Sequence, residues 1–397
     1  MTDAVKPINL FEYETLAAKH LSQMALDYYA SGAWDEITLR DNRAAFERYK
    51  LRPRMLVDVS RRDLSTTILG QSLQMPILIA PMAFQCLAHP EGEIATAKAA
   101  AKLGTVMVLS TLATKSLEEV ALAQQQTEQE AYSIENPKSS GASVGIVTGT
   151  AKTPTSRKIQ NRFWFQLYVH RDRGLTKALV ERAYEAGYRA LCLTVDAPVL
   201  GQRERDRRNQ FALPAGMELA NLASITDLEI PYKPGESGLF NYFLEQLNPA
   251  LTWKDIEWLQ SISHLPLVVK GILRGDDAVR AVEHGAIAII VSNHGGRQLD
   301  GAIASIDALS EVVASVGDKA EILVDGGIRR GTDILKALAL GAKAVLLGRP
   351  VLWGLAVGGA AGVGHVLELL QDELDVAMAL SGCAKLQDVD PSLVVRL

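Results

Sequence analysis

Short apolar runs, each four to six residues long and rich in branched or aromatic side chains, recur along most of the chain. Runs of this length predict buried strands, because typical helices are longer. Segments rich in Ala or Glu, such as 93–103, 176–186 and 332–340, separate the runs and predict helices. The eight predicted strands are 77–80, 106–109, 163–168, 190–195, 267–270, 286–291, 321–324 and 344–347.

Glycines mark the ends of several predicted helices. Gly104, Gly187, Gly285 and Gly341 each stand just before a predicted strand. Glycine is common past a helix end because it enters the left-handed region without a Cβ penalty. Eight strands alternating with helices predict the α/β class and a (β/α)8 TIM barrel. An open doubly wound sheet is the alternative, but no G-x-G-x-x-G motif follows an early strand.

The flanking segments suggest one domain over residues 1–397, with the barrel in 75–397. Residues 8–50 read as an N-terminal helical segment, and 51–74 as a β-ribbon or extended arm. Together these form the predicted N-terminal part, 1–74.

Two segments interrupt the alternation of strands and helices. Residues 126–161 are rich in Ser, Thr, Gly, Lys and Gln, which predicts an inserted surface loop. Residues 204–250 are punctuated by Pro and Gly and follow a barrel strand. A long excursion on the active-site side of a barrel is often a lid, so we expect a lid there.

Composition narrows the class of partner. The chain is 48% hydrophobic and 22% charged, which suits a sizeable core. The net charge of -5 without a long basic block argues against nucleic acid. Three scattered cysteines show no metal spacing, so no metal is expected.

The sequence also bears on location. We find no signal peptide and no apolar run that reaches the roughly 18–20 residues of a membrane span, so we expect no membrane partner and a cytoplasmic protein. The ending Val395-Arg396-Leu397 is only loosely like a peroxisomal signal, which would apply in a eukaryote.

A set of mostly polar residues lies at the ends of the predicted strands or just after them. In a parallel barrel the carboxyl ends of all strands meet at one face, where active sites lie. One polar strand end has a simple structural explanation, but a whole set on one face predicts a site. The set comprises Pro81, Met82, Ala83, Ser110, Gln166, Tyr168, Thr194, Asp196, Lys270, Ser292, His294, Arg297, Asp325 and Gly348.

The last two strand ends suit a phosphate. Gly326, Gly327 and Gly348 allow backbone N–H groups to approach an anion, and Arg329 and Arg349 supply positive charge. This is a frequent phosphate site in barrels.

Other residue types suggest acid–base chemistry on a carboxylate. Arg203 and Arg297 can each bind a carboxylate through two N–H groups. His294, with Asp196 to orient it and stabilise its imidazolium, is a candidate general base. Lys270 can stabilise negative charge on a cofactor.

Six motifs carry a resemblance to a known family over nearly the whole chain. The chain resembles the FMN-dependent α-hydroxy acid oxidases and dehydrogenases, of the lactate oxidase and glycolate oxidase type. The motifs are Asp27–Ala33, His89–Glu93, Ser292–Asp300, Asp325–Asp333, Leu347–Pro350 and Ala379–Cys383.

The resemblance implies two sets of site residues. The implied catalytic group is His294 as the base, with Asp196 and Tyr168. The implied substrate contacts are Tyr28, Tyr168, Arg203, His294 and Arg297. The implied FMN contacts are Pro81, Met82, Ala83, Ser110, Gln166, Thr194, Lys270, Ser292, Asp325, Gly326, Gly327, Ile328, Arg329, Gly348 and Arg349.

By this resemblance the protein oxidises a small L-2-hydroxy acid. The family's Thr and Trp beside the substrate appear here as Met82 and Leu112, so we expect L-lactate, which becomes pyruvate, to be preferred over glycolate. The overall likeness to the soluble oxidases of the family makes O₂, which becomes H₂O₂, the expected acceptor. Glycolate oxidation, or an L-lactate dehydrogenase with another acceptor, are the alternatives. Whether the α-hydrogen leaves as a hydride or a proton stays open, and the resemblance implies a homo-oligomer, a tetramer or octamer.

Two other classes compete with this reading. Barrels of the inosine-monophosphate-dehydrogenase kind bind phosphate at similar strand ends but need a Cys nucleophile, and no cysteine here lies in a suitable loop. A barrel used only for binding predicts lost catalytic groups, whereas His294, Arg203, Arg297 and Lys270 are all present.

Overall fold

The computed structural model describes residues 6–135, 161–223 and 238–397. Eight parallel strands form a closed barrel, and Val345 pairs with Ile77 where the last strand meets the first. The predicted (β/α)8 barrel is therefore confirmed. The barrel strands, numbered in chain order, are β1 Ile77–Ile79, β2 Met107–Leu109, β3 Phe163–Leu167, β4 Leu191–Thr194, β5 Leu267–Ile272, β6 Ala288–Val291, β7 Glu321–Asp325 and β8 Ala344–Leu347.

Helices surround the barrel and bury the outward-facing strand residues. Outward side chains such as Ile77, Phe163 and Val345 belong to the large apolar core shared with the helices. The described α-helices are Leu10–His20, Gln23–Ala30, Ile37–Ala44, Gly92–Lys102, Leu117–Glu135, Arg173–Glu185, Glu204–Arg208, Ala220–Ala223, Gly238–Gln246, Trp253–Ile262, Gly275–Glu283, Ser305–Val316, Gly331–Ala339 and Arg349–Leu380.

The inward-facing strand residues form a second apolar cluster inside the barrel. Side chains alternate along a strand, so every second residue points inward, as Trp164, Cys192 and Val268 do. A hairpin of strands Thr66–Ile68 and Gln71–Leu73 adds residues to this cluster and closes the amino end of the barrel. The expected ribbon in 51–74 is thus a short hairpin near the end of that range.

The N-terminal helices dock on the carboxyl rim of the barrel. Asn42 and Asn293 exchange two amide hydrogen bonds, with N–O distances of 2.8 and 2.7 Å. The Thr38 backbone N–H donates to Asp300 Oδ1 at 2.9 Å. At Gly327 an added Cβ would lie 1.9 Å from the Asn42 carbonyl oxygen, so only glycine permits this close approach.

The expectation of a loop beginning at residue 126 was wrong for its first part. The helix Leu117–Glu135 continues through these positions. Ser116 and Glu119 bond reciprocally at its start, and the following Ala, Glu and Gln residues favour helix. The rest of the predicted loop, up to residue 160, lies outside the described residues.

The described part of the predicted lid segment contains three short helices. These are Glu204–Arg208, Ala220–Ala223 and Gly238–Gln246, and residues 224–237 between them are not among those described. The last helix brings Phe243 against Tyr168, with ring centroids 5.4 Å apart. Part of the segment therefore lies beside the polar rim residues.

The expectation that no apolar stretch reaches the length of a membrane span was also wrong. Helix Arg349–Leu380 is long and apolar enough by length and composition, but 67% of its most apolar window is buried inside the protein. The helix kinks at Gly358 and Gly359, and an added Cβ on Gly354 would lie 2.6 Å from the Gly362 carbonyl oxygen. Burial in the core accounts for its apolar composition.

Candidate active site

A cavity at the carboxyl rim collects the polar strand ends. It encloses about 1050 Å³ of space free of atoms, part of it open to solvent. Its floor continues the inward-facing rows, because Gln166 comes two residues after Trp164 and Lys270 two after Val268. Every second residue of a strand points into the barrel, so each inward-facing row begins with apolar residues in the interior and ends with a polar residue at the rim.

The floor is held by one amide side chain. Gln166 Oε1 accepts from Ser110 Oγ at 3.2 Å and from the Thr111 backbone N–H at 3.1 Å. Gln166 Nε2 donates to Thr194 Oγ1 at 3.0 Å. These contacts fix the orientation of the amide and link three neighbouring strand ends.

Lys270 is a buried cation at the centre of the floor. Its Nζ donates to Ser292 Oγ at 3.0 Å and lies 3.4 Å from Asp325 Oδ2. Burial lowers the pKa of Lys270, but the Asp325 and Asp196 carboxylates more than offset burial, and the pKa stays above its ordinary value. The ammonium is therefore charged at neutral pH. Asp325 Oδ1 is buried and has no hydrogen-bond partner among the described residues.

His294 and Asp196 form an imidazole–carboxylate pair. The His294 Nδ1–Asp196 Oδ1 distance is 2.7 Å, and the His294 backbone N–H donates to Ser292 Oγ at 3.0 Å. Beside an ionised Asp196, Nδ1 carries the proton and Nε2 keeps a lone pair. Burial lowers the pKa of His294, and Asp196 opposes that effect only in part. The imidazole is therefore neutral near pH 7 and able to accept a proton.

The pKa of Asp196 is lowered. Burial alone would raise it, but His294 and Lys270 together outweigh burial. An ionised Asp196 is the form that stabilises a protonated His294.

Two arginines lie beside this pair. Arg297 Nη1 donates to the carbonyls of Tyr28 at 2.5 Å and Ser31 at 3.2 Å, and its guanidinium lies 4.8 Å from the Tyr28 ring centroid. Burial, together with the neighbouring Arg297, lowers the pKa of Arg203 to about 10. Arg203 is still charged at neutral pH, so the two cations attract an anion.

The ends of β7 and β8 form the glycine-rich side of the cavity. Gly326 and Gly327 have φ values of 100° and 80°, which favour glycine. Arg349 donates to the carbonyls of Tyr29, Gly295 and Ser31 at 2.9–3.0 Å. Burial and neighbouring arginines hold the pKa of Arg349 well below its ordinary range. Arg349 therefore donates several of its N–H groups to backbone carbonyls, and fewer remain to bind an anion than the sequence suggested.

The cavity brings together nearly all the residues predicted from the sequence. Only Asp196 and Ser292 do not line it, and they bond to His294 and Lys270, which do. The sequence analysis missed several apolar or backbone contributors. They are Tyr29, Ala80, Phe243, Gly295, Leu346, Leu347, Pro350 and Leu352.

Most missed residues adjoin a predicted one, and that adjacency was the available signal. Tyr29 follows Tyr28, and Gly295 follows His294. Phe243 is different, because it comes from the segment predicted as a lid, and nothing in its local sequence says which side chain reaches the site.

The fold and the site define a barrel enzyme whose cationic, glycine-lined cavity adjoins a neutral imidazole. The chain belongs to the FMN-dependent dehydrogenase family, whose model matches residues 17–148 and 138–396. It is 68% identical to the L-lactate oxidase of Nostoc sp. over 99% of this chain and 100% of that protein. It is 49% identical to glycolate oxidase 3 of Arabidopsis thaliana, with 96% and 94% covered.

Solved structures agree with the family. A mandelate oxidase crystallised with (S)-4-hydroxymandelic acid is 40% identical, with a TM-score of 0.84 over 96% of this chain and 97% of that one. The predicted family, enzyme class and FMN cofactor are therefore confirmed.

The residues present fit FMN. The glycines Gly326 and Gly327 leave backbone space for a phosphate, and Arg329 lines the cavity beside them. The unpartnered Asp325 Oδ1 can accept from a hydroxyl, and the charged Lys270 lies next to it. An anion with a polar hydroxylated chain matches both features.

The pKa of His294 can be measured directly. In the FMN-loaded protein we expect NMR titration of labelled histidines to place the His294 midpoint below the ordinary value of about 6.5. Asp196→Asn should lower the midpoint further, because the carboxylate raises it. Asp276→Asn, at an exposed aspartate, is the matched control and should leave the midpoint unchanged. An unchanged or higher midpoint in Asp196→Asn would contradict the pairing.

Proposed function

We propose that the protein oxidises L-lactate to pyruvate and reduces O₂ to H₂O₂. The observation that carries this proposal is one cavity in which a neutral imidazole paired with Asp196 adjoins two arginines and a small apolar wall. Met82 and Leu112 line that wall and are 9% and 3% exposed. The identity to the Nostoc L-lactate oxidase supports the same substrate and acceptor.

The chain's own residues would handle the substrate in three ways. Arg203 and Arg297 bind its carboxylate, which holds the hydroxyl near His294. Nε2 of His294 accepts the hydroxyl proton, and Asp196 stabilises the resulting imidazolium. FMN, when bound, supplies the two-electron acceptor for the α-hydrogen.

The tyrosines Tyr28 and Tyr168 complete the proposed substrate site. Both rings line the cavity and are mostly buried. Burial raises the pKa of both phenols, so each hydroxyl stays protonated and can donate to the substrate. Tyr168 lies under Phe243 of the lid segment, which supports a role for 204–250 in covering the site.

The proposed FMN contacts follow the cavity wall. Lys270 is the cation we assign to negative charge on the cofactor, because its pKa is raised and it is buried. The full proposed set is Pro81, Met82, Ala83, Ser110, Gln166, Thr194, Lys270, Ser292, Asp325, Gly326, Gly327, Ile328, Arg329, Gly348 and Arg349.

The remaining expectations also stay proposals. We propose a single domain over residues 1–397, a homo-oligomer and a cytoplasmic location. The match to a bacterial relative gives the peroxisomal expectation no support. Glycolate oxidation is the second candidate, favoured by 47–49% identity to several plant glycolate oxidases.

The first test uses the purified wild-type protein. Anaerobic L-lactate should bleach the flavin absorbance, and D-lactate should not. Air should then restore the colour quickly, with one H₂O₂ formed per pyruvate. Reoxidation over many minutes would contradict O₂ as the acceptor and favour the dehydrogenase alternative.

The second test removes the proposed base. His294→Gln keeps some hydrogen bonding but accepts no proton from the substrate, so anaerobic flavin reduction should slow by about 10²–10⁴-fold. FMN content should stay at the wild-type level. His20→Gln, at the exposed end of helix Leu10–His20, is the control. A reduction rate near wild type in the stopped-flow trace would remove His294 from this role.

The third test addresses the substrate wall. L-lactate carries a methyl group where glycolate has hydrogen, and Met82 and Leu112 leave apolar space for it. The double variant Met82→Thr with Leu112→Trp should move the ratio of kcat/KM toward glycolate by about 10–200-fold. No change in the ratio, or a wild type that prefers glycolate, would overturn the assignment.

A further inference from the structure

A second cavity lies directly behind the active-site cavity. It encloses about 940 Å³ of space free of atoms, part of it open to solvent, and shares Tyr168 and Thr194 with the first. Its outer wall comes from Leu247 to Ile256, after the lid helix, and its inner wall from the ends of β4 and β5. The two cavities are therefore separated by little more than two side chains.

The inner wall also backs the imidazole–carboxylate pair. Gly271, in the irregular part of β5, lines the second cavity. An added Cβ on Gly271 would lie 2.6 Å from Asp196 Cβ. Gly271 therefore contacts both the second cavity and Asp196, whose Oδ2 is buried without a partner among the described residues.

The two cavities differ in charge. Five cationic side chains line the first, which suits an anionic cofactor and an anionic substrate. The wall of the second combines apolar side chains, such as Val195, Leu251 and Ile256, with neutral polar ones such as Asn248, and Asp277 is the one charged residue among its described lining residues. A carboxylate repels lactate and pyruvate, whereas an apolar wall favours a small uncharged molecule.

We propose that this second cavity, the one lined by Val195, Leu251, Ile256 and Asp277, is the passage by which O₂ reaches the active site. The anionic substrate enters over the arginines, and the apolar gas enters from behind Tyr168 and Thr194. This inference rests on the proposed oxidase function.

The overall reaction balances without a further reactant. L-lactate loses two electrons and two protons to become pyruvate, and O₂ gains two electrons and two protons to become H₂O₂. FMN, when bound, would supply the carrier for these two electrons. The second cavity concerns only the half-reaction that consumes O₂. The inference is testable because the two half-reactions can be measured separately.

Xenon tests the cavity independently of activity. Xenon is an apolar gas that enters dry apolar cavities. Crystals of the FMN-loaded protein under xenon pressure should show xenon beside Val195, Leu251 and Ile256. A cavity filled with ordered water that excludes xenon would overturn the proposal, whatever the substrate of the enzyme is.

Filling the cavity should slow one half-reaction only. Leu251→Trp places a larger side chain in the passage, so the second-order rate constant for reoxidation by O₂ should fall by about tenfold, equivalent to about 1.4 kcal/mol in activation free energy. Anaerobic reduction by L-lactate should stay within about twofold of wild type. Leu122→Trp, the same exchange at an exposed position on helix Leu117–Glu135, is the matched control and should change neither rate.

A second filling variant guards against a folding defect. Ala197→Leu places a larger side chain on a different wall of the cavity and should slow reoxidation in the same way. If both variants fold, exclude xenon and are still reoxidised at the wild-type rate, the proposal is overturned. If reduction by L-lactate and reoxidation by O₂ slow equally, the cavity belongs to the substrate path instead. If L-lactate does not reduce the flavin of the wild-type protein, the proposed function is overturned. The xenon experiment does not depend on the substrate, so it still tests the cavity.

Discussion

Closure of the parallel barrel is the constraint on which the site depends. The pairing of β8 with β1 turns eight separate strand ends into one rim, so residues far apart in sequence face a common space. The inward-facing side chains of the strands then determine which groups line that space. Trp164 and Val268 fill the interior, and Gln166 and Lys270, two residues later, become its polar floor. The same alternation therefore builds both the core and the site.

Charge is the second organising feature of the rim. One cavity is lined by Arg203, Lys270, Arg297, Arg329 and Arg349, and Asp325 is the only carboxylate among its described lining residues. Buried cations are costly unless they are paired or hydrogen-bonded. Carbonyls of the N-terminal helices and Gly295 bind Arg297 and Arg349, and Asp325 partners Lys270. The remaining positive charge is balanced best by an anionic cofactor and an anionic substrate.

Much of this could be predicted from the sequence, for identifiable reasons. Barrel strands appear as short apolar runs, and the polar residues after them appear in order along the chain. Helix Leu117–Glu135 was partly missed because its Gln- and Glu-rich second half has few apolar positions. The hydrogen bonds that Arg349 donates to the carbonyls of Tyr29, Ser31 and Gly295 could not be predicted, because only folding brings these groups together. The second cavity left no local signal, because its walls come from four separate stretches.

The amide pair between Asn42 and Asn293 has a consequence for the order of events on the ribosome. The two residues are 251 positions apart, and Gly327, which packs against the Asn42 carbonyl, follows later still. The helical segment that emerges first therefore waits, without its docking surface, until six barrel strands have been translated. Contacts of such long sequence separation are slow to form. The oldest part of the nascent chain is thus among the last to reach its final place.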